Sequence, residues 1–159
     1  MIPSDIHTLL TQKFGDAILE AKLEGVIDPF IVVAPHRVRE VALFLRDEEA
    51  LQFDVLMCLS GMDYTAGKLG VVYHLHSMKH NHKIVLKAMV TVSQPHVQSV
   101  ESVWKTALWH EREAFDLFGI IFDGHPDLRR ILLPYDWEGH PLRKDYKVPE
   151  FYNGMKVPY

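Results

Sequence analysis

A single cysteine, Cys58, stands in this chain of 159 residues. One thiol closes no internal disulfide, and it suits a reducing compartment. It also falls short of the cysteine set that an iron–sulfur cluster normally takes. Its neighbours Val55, Leu56, Met57 and Leu59 are apolar and no charge sits beside it, so it reads as a small buried side chain, not a reactive one. No apolar run approaches the roughly 20 residues that cross a bilayer. The start, Met1-Ile2-Pro3-Ser4-Asp5, has neither a basic nor an apolar stretch, so no secretion signal is expected. Positive charge is not in excess either: the net charge is -4, and the basic residues pair only briefly, at Arg129-Arg130 and Arg143-Lys144. That balance speaks against nucleic acid as a partner. The chain carries no G-x-G-x-x-G, no P-loop and no G-x-S-x-G, hence no cradle for a dinucleotide or phosphate and no evident activated nucleophile.

What is present is an apolar fraction of 48%, enough for the core of one domain with an extended tail. Ser4 or Asp5 is placed to cap a first helix through Phe14, with Ile6, Leu9, Leu10 and Phe14 near helical spacing and Gly15 as its stop. Phe30 to Ala34 reads as a short buried strand. Pro35 then opens a helix along Val38, Val41, Ala42 and Leu45, which its acidic end Asp47-Glu48-Glu49 closes. Phe53 to Leu59 is a strand or a helical turn leading into one. Val71 to Met78 and Ile84 to Val92 alternate with period two around a polar turn, Lys79 to His82, which predicts an antiparallel hairpin packed on helices through one face. A long helix from Val97 to Phe118 is expected from the stripe Val100, Trp104, Leu108, Glu111, Phe115 and Phe118, with Gly119 as its end. Pro126, Pro134, Pro141, Pro149 and Pro158 then punctuate the chain, so residues 123–159 are expected to be extended and looped. The fold expected is α+β: a mixed or antiparallel sheet of about four to five strands with helices on one face. Residues 1–122 are expected to form a scaffold domain, and the C-terminal segment 123–159 is expected to lie extended over a partner and to order fully on binding.

The densest stretch runs from Glu111 to Tyr146. It contains an echo: Gly124-His125-Pro126 precedes Leu128-Arg129-Arg130, and Gly139-His140-Pro141 precedes Leu142-Arg143-Lys144. Stiffened loops that carry large side chains usually exist to meet something. Glu111 lies on an apolar stripe and needs a partner or a proton. It is either a general acid or base, or one half of a buried ion pair with Arg129, Arg130 or Arg143 that locks the tail to the body. The lack of an accompanying nucleophile favours the ion pair. His110-Glu111 fails the zinc-protease pattern H-E-x-x-H because residue 114 is Ala. His74, His76, His80 and His82 cluster on the hairpin, yet no Asp, Glu or Cys within that stretch completes a metal shell. His125 and His140, each between Gly and Pro, suit metal binding or proton transfer, and more often the capping of loop carbonyls. Tyr135 and Trp137 flank Asp136 as interface anchors would. Ile131-Leu132-Leu133 resembles a strand able to extend a sheet edge.

Glu111-Arg112-Glu113, Asp116, Gly119-Ile120, Phe122, Gly124-His125-Pro126, Leu128-Arg129-Arg130-Ile131-Leu132, Pro134, Asp136-Trp137 and Gly139-His140-Pro141-Leu142-Arg143-Lys144-Asp145-Tyr146 together resemble the signature of the thirty-kilodalton subunit family of respiratory complex I, the C-type subunit of proton-pumping NADH:quinone oxidoreductase. Weaker similarity extends upstream through Phe53 to Tyr64 and the paired strands. Related chains serve ferredoxin- or quinone-linked complexes and membrane-bound hydrogenases. The resemblance implies a scaffold without a cofactor of its own, with FMN and iron–sulfur clusters in partner subunits. It implies packing against the large quinone-site subunit and the iron–sulfur subunits, on the cytoplasmic face of the bacterial inner membrane, with membrane contact only through the complex. For Arg129, Arg130, Tyr135, Trp137, His140, Arg143, Lys144, Asp145 and Tyr146 it implies docking, and for Glu111, Arg112, Asp116, Gly119 and His125 a structural role. With the chain closing at Pro158-Tyr159, a longer family extension and fusion to the large subunit are expected to be absent. The rival reading is a stand-alone metalloenzyme built on Glu111, His125 and His140.

Overall fold

The computed structural model describes residues 1–157. Helix α1 (Pro3–Phe14) starts earlier than the Ser4 or Asp5 cap predicts, because Pro3 fits the first helical position and the Asp5 carboxylate accepts the Ile2 N–H at 3.3 Å. A 3-10 turn leads into β1 (Ile18–Lys22), which pairs antiparallel with β2 (Phe30–Val33). The sequence shows no clean alternation at β1, and the register shift between Ile18 and Glu20 explains why: a bulge breaks the period. Helix α2 (Val38–Asp47) buries the expected Val38, Val41, Ala42 and Leu45. Strands β3 (Val55–Asp63), β4 (Lys68–Ser77) and β5 (His82–Thr91) complete a five-stranded sheet ordered β1-β2-β5-β4-β3. Its pairs are antiparallel except β2 with β5, which set Phe30 opposite Val85 in parallel. The sheet is therefore mixed, as expected of an α+β fold.

Alternation decides which face meets the helices. Tyr73 and Leu75 of β4 and Ile84, Leu86 and Ala88 of β5 are buried in one core with Ile6 and Leu10 of α1 and the apolar stripe of α2. Such burial of aliphatic and aromatic side chains contributes about 1.5–3 kcal/mol per residue.

The long helix expected from Val97 is a correction. Residues His96–Gln98 form β6, which pairs in parallel with β7 (Ile121–Asp123). Helix α3 spans only Ala107–Phe118. Between them Val103 and Trp104 each return an N–H to the Val100 carbonyl at 2.9 Å, and the Trp104 indole donates to the Phe53 carbonyl. Val100 and Trp104 are buried as the stripe implied, but from a tight turn. Gly119 follows α3 at φ +71°, the left-handed stop that its position suggested. Phe118 packs back on β3, where a Cβ on Gly61 would stand 2.6 Å from its ring. Paired with β4 as far as Asp63 opposite Leu69, β3 runs past the Leu59 limit that the apolar run predicted. A short hairpin, β8 (Phe151–Tyr152) and β9 (Met155–Lys156), lies beyond. Pro158 and Tyr159 fall outside the described residues.

Candidate docking site

The tail is tied to the C-terminal half of α3, and the ties come from the motif residues. Asp116 is fully buried, and its Oδ1 accepts from Arg130 Nη1 at 2.7 Å. Its Oδ2 accepts from the consecutive backbone N–H groups of Ile131, Leu132 and Leu133 at 3.0, 2.8 and 2.9 Å. One carboxylate thus satisfies a whole turn of backbone. Burial alone pushes Asp116 up, but these donors outweigh it and hold the carboxyl below its usual range. Arg130 also donates to the carbonyls of Trp137 and Gly139 at 2.8 and 3.0 Å, which closes residues 131–139 into a loop with both feet on one ion pair. The strand expected at Ile131-Leu132-Leu133 is therefore absent. Its amides are spent on a carboxylate, and the segment is bent.

Other side chains fasten the same region. Arg112 is buried and donates to the carbonyls of Arg129 and Arg130 at 3.1 and 2.9 Å. His140 Nδ1 donates to the Asp116 carbonyl at 2.9 Å, and burial depresses the imidazole pKa. Arg143 donates to the Phe118 carbonyl at 2.6 Å. Gly119 is where both meet: a Cβ there would lie 2.5 Å from His140 Nε2 and 2.5 Å from Arg143 Nη2. Farther out, the Trp137 indole donates to the Tyr146 hydroxyl at 3.0 Å, and its ring lies 5.0 Å from that of Tyr152. The Lys144 N–H donates to Asp63 on β3 at 2.8 Å, which with the Thr65 N–H pulls that carboxyl down. Arg129 faces solvent beside Asp127, and Tyr135 is 93% exposed. Asp145 stands with Lys144 and Asp63 around a shallow surface cleft.

Glu111 is buried, but not against an arginine. Its carboxylate accepts from the Ser99 hydroxyl at 2.6 Å and the Val100 N–H at 2.7 Å. The expected ion pair with the tail is thus made by Asp116, about a helical turn onward, where α3 faces the tail. Burial pushes Glu111 up to about 7, with those two donors opposing. His125 donates from Nε2 to the Leu108 carbonyl at 3.0 Å and accepts the Asp127 N–H at Nδ1 at 3.0 Å, so both ring nitrogens are committed. Among the described residues no three or more His, Cys, Asp or Glu side chains converge as a metal would need, so Glu111, His125 and His140 do not form the cluster of the metalloenzyme reading. In the hairpin, His80 and His82 give Nε2–H to the carbonyls of Glu49 and Leu51 at 2.9 and 2.7 Å. The sequence marks Asp63 only as a loop residue, although it ends strand β3, and Leu132 only as part of a strand, and gives neither a docking role. Asp63 gave no signal of that role, because its partner lies 81 positions away.

Among the described residues no helix is long and apolar enough to cross a membrane. The family model for the respiratory-chain NADH dehydrogenase 30 Kd subunit matches residues 31–152. The C-type subunit of an NADH-quinone oxidoreductase from Chloroherpeton thalassium is 47% identical over 96% of this chain, and this chain spans 64% of that protein's length. Its counterpart from Chlorobium phaeobacteroides is 47% identical over 96% of this chain and 93% of its own. Among solved structures, a trypsin-resistant fragment of Nqo5 shares 26% identity at a TM-score of 0.63, covering 77% of this chain and 98% of the fragment. A chain of an archaeal membrane-bound sulfane sulfur reductase shares the fold at a TM-score of 0.74 with 19% identity, over 91% of this chain and 85% of its own. With residues 31–152 matched by the family model and relatives 47% identical over 96% of its length, the chain belongs to the respiratory-chain NADH dehydrogenase 30 Kd subunit family.

Proposed function

We propose that this chain is a cofactor-free structural subunit in the peripheral arm of a proton-translocating NADH:quinone oxidoreductase. It docks the large quinone-site subunit and the iron–sulfur subunits on the cytoplasmic face of the membrane, while FMN and the clusters reside in those neighbours. The observation that carries this reading is how the densest polar motif is used. Asp116, Arg112, Arg130, His140 and Arg143 all bond to this chain's own backbone or to each other. Groups committed to that work fix the shape of a surface and are poorly placed to attack a substrate or move its protons. A scaffold of this kind sets the separation of redox centres held by others.

The test is purification of the tagged full chain from its native membranes, with identification of the co-purifying chains and flavin and metal analysis of the chain alone. Recovery of quinone-site and iron–sulfur subunits, with no stoichiometric flavin or metal in the isolated chain, is the expected result. A stoichiometric prosthetic group in the isolated chain, or recovery without those subunits, overturns the reading.

A further inference from the structure

The loop clamped between Asp116 and Arg130 turns an apolar crown outward. Leu132 is 62% exposed and Tyr135 93%, although the Leu132 N–H beneath is fixed on the buried Asp116 carboxylate. Apolar side chains held outward on a rigid base lose little conformational freedom on binding, which is how interface hot spots act. The exposed charges of the loop itself are Asp136 and Glu138, since Arg130 is turned inward. From this geometry we infer that Leu132 and Tyr135 form a preformed prong that enters an apolar socket with a basic rim on a neighbouring protein subunit. The inference rests on the scaffold reading and deepens it: the latch arginines shape the prong from within, and the apolar tip makes the contact. An anionic lipid surface fits poorly, because the two flanking carboxylates would face its negative headgroups. A second copy of this chain fits poorly too, because in a two-fold contact of loop on loop Asp136 and Glu138 would face their own counterparts.

The experiment uses the full chain expressed in its native membranes. Leu132→Asp and Tyr135→Ala should each cut co-purification of the other oxidoreductase subunits about tenfold or more, with the melting temperature of the isolated chain unchanged. Glu138→Lys should weaken recovery as well, by placing like charge against the rim. Ile27→Asp, at a position 99% exposed on the β1–β2 loop, should recover them at the wild-type level. A photo-crosslinking benzoylphenylalanine in place of Tyr135 should join a neighbouring subunit at an apolar surface bordered by Lys or Arg. Cross-linking only to lipid or to a second copy, or wild-type recovery with Leu132→Asp and Tyr135→Ala, overturns the inference and leaves the scaffold reading standing. Failure of the wild-type chain to bring down any oxidoreductase subunit removes the scaffold reading, and the inference with it.

Discussion

Arg130 meets Asp116 at 2.7 Å across the seam between helix α3 and the tail, with Asp116 fully buried and the arginine side chain 17% exposed. The pair survives burial because its remaining valences are filled: backbone N–H groups on the carboxylate, carbonyls on the guanidinium. A buried pair without such partners would cost more than it returns.

Asp116→Asn should therefore open the tail. The neutral amide offers Arg130 no charge and presents a donor to donors. Breaking a buried pair from one side costs about 3–5 kcal/mol. Amide exchange at Ile131, Leu132 and Leu133 should speed by at least tenfold, while exchange in β4 and β5 stays as in the wild type. The pH dependence follows from the depressed carboxyl. Its stabilisation is full above the ordinary carboxylate range and lost as the pH falls through the lower folded value. Hydrogen exchange read by mass spectrometry checks both points.

Glu111 behaves in the opposite sense. Its folded value of about 7 lies above the ordinary 4.5, so the folded chain binds more protons than the unfolded one between those two values. Stability from this group is greatest below about 4.5 and declines as the pH rises toward 7. Displacement over that window corresponds to roughly 3 kcal/mol. In Glu111→Gln the amide keeps the Val100 N–H on its oxygen and turns its NH2 toward Ser99, without a charge to bury. Urea unfolding at pH 5, 6, 7 and 8 should show wild-type stability falling relative to Glu111→Gln across this range. Parallel curves would mean that Glu111 ionises freely.

How much of this could be read from the residues varies with the range of the interaction. The α2 stripe and the β4–β5 hairpin are legible because their periodicity is local and one face of each is buried. The stripe overextends helix α3 because Val100 and Trp104 are buried at helical spacing for a different reason: a turn that Glu111 and the Phe53 carbonyl hold in place. The tail's residues stand out as a cluster, but their pairing does not. An arginine for Glu111 is the economical reading of the sequence. The choice of Asp116 depends on which side of α3 the tail crosses, and that is set by Gly119, Arg143 and Phe118 together.

Gly119 is the hinge of that crossing. At φ +71° an alanine is strained by about 1–2 kcal/mol from backbone alone. Its Cβ would also displace the His140 ring, which is held on the Asp116 carbonyl. Gly119→Ala should lower the melting temperature by roughly 4 °C or more in a scan of the isolated chain. A substitution to Asn, which tolerates the left-handed region better, should not rescue it, because the collision remains.

Trp137 divides the latch from the end of the chain. Its indole N–H bonds to the Tyr146 hydroxyl, its carbonyl accepts from Arg130, and its ring packs on Tyr152, which in turn donates to Asp136 at 2.8 Å. Trp137→Ala keeps the carbonyl, and so the foot of the loop on Arg130, but removes the ring on which the β8–β9 hairpin rests. Loss of an aromatic pair and its hydrogen bond should cost about 1–3 kcal/mol locally. The expected result is faster proteolysis and exchange after residue 146, with protection at Ile131 to Leu133 retained and the core melting as before. If Ile131 to Leu133 lost protection along with the hairpin, latch and terminal segment would be a single cooperative unit, and the division at Trp137 would be wrong.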